Sequence, residues 1–170
     1  MNSLPPNAPG FSFKTRVSNA WANIELLRQA VIASARAVFD DDMSVSIGTV
    51  ASELMENAVK YGAWGNAAVQ TMRVAVRGRE SAIEVDVEAP SSPEGAENLE
   101  RHLAWIRSYP SAEAAYHARI LALSTEPPDR RSSMGLLRIA VEGACTIHAE
   151  LSPENLLTVR AIIENTGHAG

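Results

Sequence analysis

Cysteine is nearly absent: Cys145 stands alone and cannot close an internal disulfide, which points to a reducing compartment. An excess of basic charge is absent too. Fifteen Lys and Arg against twenty Asp and Glu leave a net charge of −5, so the chain lacks the electrostatic footprint of a nucleic-acid or anionic-membrane binder. Apolar runs are interrupted by charges well short of membrane-spanning length, and there is no internal repeat or low-complexity tract. Residues 1–10 hold three prolines but not the basic-then-apolar order of a secretory signal, so the expectation is a short flexible tail. These absences together describe a cytoplasmic protein. The 46% hydrophobic and 21% charged composition of its 170 residues suits a single domain over residues 11–170.

Hydrophobic periodicity orders the chain. Phe11, Phe13 and Val17 share one side at period two, as in a half-buried strand. Ser18 then reads as an N-cap, and Ala20, Ile24, Leu27, Val31, Ala35 and Val38 recur at helical steps to about Phe39. Asp40, Asp41 and Asp42 precede a second helical pattern, from about Met43 to Tyr61, and are read as a cap rather than a metal cluster. Its core face carries Ile47, Val50, Ala51, Leu54, Ala58 and Tyr61, and Gly62 and Gly65 end it.

Two alternating stretches follow, Met72/Val74/Val76 and Ile83/Val85/Val87, joined as a hairpin by residues 77–81 and closed by Pro90. Residues 90–133 form an insertion with two helical patterns, Ala96/Leu99/Leu103/Ile106 and Ala114/Ala118/Leu121. In Ser133–Gly143 a short helix opens on Gly135 and ends near Gly143, and a last hairpin pairs Cys145–Leu151 with Leu157–Ile163. This order implies an α/β (α+β) two-layer sandwich: a mixed, mostly antiparallel sheet covered on one face by helices, with a helical lid insertion.

The chemistry concentrates on the second helix, in Glu53-Leu-Met-Glu56-Asn57-Ala-Val-Lys60-Tyr61-Gly62. At roughly 100° per residue, Glu53, Asn57 and Lys60 form a polar stripe bordering the apolar face centred on Leu54. A carboxylate one turn before an amide can act as a base beside an oxygen that ligates Mg²⁺, and a lysine a further turn on can meet phosphate. The simpler alternative is a solvated stripe with a Glu56–Lys60 pair.

This helix resembles the signature of the GHKL (histidine-kinase-like, Bergerat-fold) ATPases, Glu-x-x-x-Asn-Ala followed by a basic or aromatic residue and Gly. Within that superfamily the chain is most similar to the small bacterial anti-sigma-factor serine kinases and to the SiaB-type kinases, which carry a helical insertion and a Gly-Leu helix. The resemblance implies that Glu53 activates the attacking hydroxyl or water, that Asn57 binds the Mg²⁺ bridging the phosphates of ATP, and that Gly135-Leu136 in Ser133-Met-Gly-Leu opens a helix beneath those phosphates. It also implies a STAS-domain or sigma-type protein partner and a homodimer. One family element departs: the aspartate that receives the adenine amino group would fall at Ala89, and Asp86 or Glu88 could replace it only if the strand slipped in register. Two readings follow, a regulatory ATP-dependent kinase or ATPase and a degenerate relative that only docks a partner.

Other residues carry less. Arg130-Arg131 could neutralise a phosphate or a partner carboxylate but read as solvated, and the histidines have no ligand-like spacing. Cys145 and Trp21 are expected in the core, and Trp64 and Trp105 at partner contacts near the lid.

Overall fold

The computed structural model describes residues 10–66, 70–79, 82–124 and 134–164. Strand β1 (Gly10–Ser18) leads into helices α1 (Ala22–Ala35) and α2 (Asp41–Tyr61), then into strands β2 (Thr71–Arg79) and β3 (Ala82–Pro90). Helices α3 (Pro93–Arg107), α4 (Ala112–Leu123) and α5 (Met134–Glu142) follow, and strands β4 (Cys145–Leu151) and β5 (Leu156–Glu164) complete the order. The five strands form one sheet in the order β1-β2-β3-β5-β4. Every pairing is antiparallel, so the sheet is not mixed.

Alternation along the strands decides which face the helices cover. Met72, Val74 and Val76 on β2 and Ile83, Val85, Val87 and Ala89 on β3 are buried together with Ile47, Val50, Ala51 and Leu54 of α2. Each large side chain taken from water there contributes about 1.5–3 kcal/mol. The opposite face carries charge in cross-strand register, Arg73 beside Glu88, Arg77 beside Glu84 and Asp86 beside Arg160.

Helix boundaries differ from the expectations in instructive ways. Ser18 ends β1 instead of capping α1; its carbonyl and hydroxyl accept hydrogen bonds from Asn23 Nδ2 at 3.1 and 2.9 Å. Asp40 does cap α2, accepting from the Met43 N–H at 2.8 Å, with Asp41 and Asp42 in the first turn. Gly62 is the C-cap, and a Cβ there would lie 2.6 Å from the Ala58 carbonyl oxygen. Trp64 shares that carbonyl through its Nε1, at 3.0 Å, so this ring caps the helix instead of facing outward.

Trp21 is 58% exposed and Tyr61 53%, so neither is a core residue. On α4 the buried position is Ala115, whereas Leu121 is exposed: the face read from Ala114, Ala118 and Leu121 is rotated. Residues 1–9, the arginine pair 130–131 and Ser133 lie outside the described residues. No described helix is long and apolar enough to cross a membrane.

Candidate functional site

Helix α2 places Leu54 and Met55 in the core and therefore carries Glu53 and Asn57 along the edge of the buried face, one turn apart. The N-terminal turn of α5 crosses this edge. Gly135 is the reason it can: a Cβ there would lie 3.2 Å from Glu53 Oε2 and 3.5 Å from Asn57 Oδ1. The sequence-derived candidates Glu53, Asn57, Gly135 and Leu136 are thus brought to one place. Lys60 is not; it is exposed, does not line the adjoining cavity, and holds its Nζ 5.0 Å over the Tyr61 ring.

A cavity of about 460 Å³ opens beside this junction. Its floor includes Asn57, Gly135 and Leu136, and its apolar walls come from Leu54, Val87 and Val159. Among the described residues the buried Asn57 Nδ2 atom has no hydrogen-bond partner. A buried amide donor left unpaired costs on the order of 1–3 kcal/mol, which makes it a sensor for any acceptor entering the cavity.

Glu53 is held differently. Its side chain is 12% exposed, and Arg138, one turn along α5 from Gly135, places Nη2 2.7 Å from Oε1. Burial raises the carboxyl above its usual range; the Arg138 charge opposes this, while Glu56 and Glu142 add to it. The net result is a carboxylate more basic than an exposed glutamate.

The β3 wall keeps strict alternation through to Pro90. Ala89 therefore faces the cavity, and Asp86 and Glu88 turn to the other side of the sheet. There Asp86 accepts from Arg160 at 2.7 Å and Arg77 at 2.6 Å, and Glu88 pairs with Arg73 at 2.9 Å. Neither carboxylate is available to the cavity, so the register slip that would have brought one there does not occur.

Sequence reasoning missed the remaining polar lining. Ser91, just past β3, is 7% exposed, and Asn98 and His102 come from one face of α3. Gly95 belongs to the same face, and a Cβ there would lie 3.1 Å from Ser91 Oγ. The i, i+3, i+7 spacing of Gly95, Asn98 and His102 was a signal for a shared face, but nothing in it pointed at α2. Arg138 was also missed, although it stands three residues beyond Gly135 and so shares its side of α5. Trp105 is half-buried against Tyr109, ring centroids 4.9 Å apart, within the insertion. Cys145 is buried as expected, its thiol donating to the Ile139 carbonyl at 3.2 Å and pushed up to about 11 by burial. Among the described residues no group of three His, Cys, Asp or Glu side chains could hold a metal ion.

Fold and site together define a two-layer α+β protein with a cavity between its helices and one half of its sheet. The chain is similar in fold to a chain of the crystal structure of the SiaB–SiaC complex from Pseudomonas aeruginosa, with a TM-score of 0.65, 16% identity and 89% of each chain covered. No family model and no curated protein matches the sequence.

Proposed function

We propose that the chain is a regulatory nucleotide-binding protein of the histidine-kinase-like type, an ATP- and Mg²⁺-dependent kinase or ATPase that phosphorylates or sequesters a signalling partner. The observation that carries the reading is the buried Asn57 Nδ2 at the cavity floor, unpaired among the described residues and set against the N-terminal turn of α5. That turn presents backbone N–H groups and a positive dipole end, and Gly135 leaves the space a side chain would fill. The phosphate end of a nucleotide fits these donors. Magnesium-bound ATP, when present, supplies the phosphoryl group and neutralises its charge.

Asn57 then offers Oδ1 as a metal ligand and Nδ2 as a donor to a phosphate oxygen. Gly135 and Leu136 would hold the phosphates from below through their backbone, whereas Lys60 would reach them only by leaving the Tyr61 ring. Glu53 takes the proton of the attacking hydroxyl or water on its carboxylate, a role suited to a carboxyl raised by burial. The partner is a STAS-domain or sigma-type protein; the fold neighbour's presence in a SiaB–SiaC complex supports a role in which a second protein is bound.

A second reading has its own observations. Ala89 puts a methyl group where the family resemblance asks for the adenine acceptor, and Glu53 is tied to Arg138. Both suit a degenerate relative that docks its partner without turnover. Calorimetric titration with ATP and Mg²⁺, with ADP and GTP for comparison, separates the two. Saturable binding weakened about tenfold or more in Asn57→Ala, with Glu53→Gln binding normally but not turning over, supports the enzyme. No binding at millimolar ligand by the folded protein overturns it in favour of the docking module.

A further inference from the structure

Glu53 presents a problem that the nucleotide reading leaves unsolved. Its side chain is nearly buried, and two further carboxylates act on it, Glu56 from its own helix and Glu142 from α5. A carboxyl in such surroundings is a stronger base than an exposed one, but it serves only while it is held deprotonated. Its two oxygens are also equivalent until something distinguishes them.

Arg138 does both jobs. Its Nη2 binds Oε1 at 2.7 Å, while Oε2 is the oxygen that lies toward Gly135, within 3.2 Å of where a Cβ would stand. On its other side, Arg138 Nε lies 3.5 Å from Glu142 Oε2, one turn further along the same helix. The guanidinium is thus steadied between two carboxylates, one nearly buried and one exposed.

We propose that Arg138 is the positioning residue of the Glu53 carboxylate: it binds one oxygen, presents the other to the mouth of α5, and ties the base on α2 to the helix that would carry the phosphates. The catalytic consequence rests on the reading of Glu53 as the base; the positioning itself does not. Because Gly135 and Arg138 sit three residues apart on α5, a shift of this helix moves the anion-binding turn and the base's counter-ion together. Glu142 competes for the same guanidinium and adds a like charge, so it opposes Arg138 in setting the protonation of Glu53.

The test uses the full chain with ¹³C-labelled glutamate carboxyls, the Glu53 signal assigned by its loss in Glu53→Gln. The titration midpoint of Glu53 is expected to move to higher pH in Arg138→Gln, to lower pH in Glu142→Gln, and to stay near that of the parent in Arg138→Lys. Opposed shifts report the charges of Arg138 and Glu142; positioning is read from Arg138→Lys, which keeps the charge and is expected to restore kcat only in part with KM unchanged. Turnover in Arg138→Gln is expected to fall at least about tenfold at neutral pH and to recover as pH rises, with nucleotide affinity little changed. An unmoved Glu53 midpoint in Arg138→Gln, with Glu142→Gln folded and also unmoved, overturns the proposal. Opposed midpoint shifts in a protein that turns over no nucleotide establish the electrostatic tie of Arg138 to Glu53 and count against the catalytic reading instead.

Discussion

Asp86 shows how far a single side chain depends on its register. It is 3% exposed on the charged face of the sheet and takes both its partners from neighbouring strands, Arg77 on β2 and Arg160 on β5. Asp86→Ala removes a charge that two half-exposed guanidiniums share; Arg77 keeps Glu84 at 3.0 Å, and Arg160 can be reached by water. The expected loss in urea unfolding is therefore about 2 kcal/mol, below the cost of stranding a fully buried charge. Glu53 and Asn57 were legible because one helical stripe carries their spacing, and Gly135 because its Gly-Leu pair resembles a family motif. Arg138 was not, because an arginine on a short amphipathic helix looks like any solvated charge until the facing helix is known. Ala89 was legible as an absence, since the alternation of Val85 and Val87 runs straight to it.

The end of α5 separates two requirements that a glycine usually meets together. The sequence places a stop near Gly143, yet it is Ala144 that adopts the left-handed conformation, with φ of 43°. Gly143 is needed for space: a Cβ there would lie 2.6 Å from the Ile139 carbonyl oxygen and 2.7 Å from Val50 Cγ2 on α2. The two positions should therefore respond in opposite directions. Ala144→Gly relieves a backbone strain and is expected to stabilise the protein by about 1 kcal/mol, whereas Gly143→Ala forces α5 off α2 and is expected to cost about 1–3 kcal/mol. Thermal or urea melts of the two variants check this; a stabilised Gly143→Ala would show that α5 yields without cost. Element order and most boundaries were readable from period and caps, as Asp40 before α2 illustrates. The start of α1 was not, because the Ser18 hydroxyl that resembled a cap is instead occupied by Asn23.

At the scale of the molecule, two hairpins and two long-range pairings, β1 with β2 and β3 with β5, make the sheet. The hairpins follow from neighbouring alternating stretches. The β3–β5 pairing brings together Asp86 and Arg160, which are 74 residues apart, and no local pattern announces it. The cavity shares this property, since its lining needs α2, α3, α5, β3 and β5 at once. The same pairing gives the fold a pH signature. Burial raises the Asp86 carboxyl, but hydrogen bonds from Arg160 and Arg77 outweigh it and hold it below its usual range; the Arg73 hydrogen bond does the same for Glu88. A folded pKa below the unfolded one contributes stability that is fully present above the unfolded carboxylate range. It is lost as pH falls through the depressed folded values. Stability from urea melts is thus expected to be flat with respect to these two groups near neutrality and to decline below about pH 4. In Asp86→Asn the acid decline should be shallower, because one of the two protons taken up on unfolding is gone. An equally steep decline in that variant would place the acid sensitivity elsewhere than in the bridge between β2, β3 and β5.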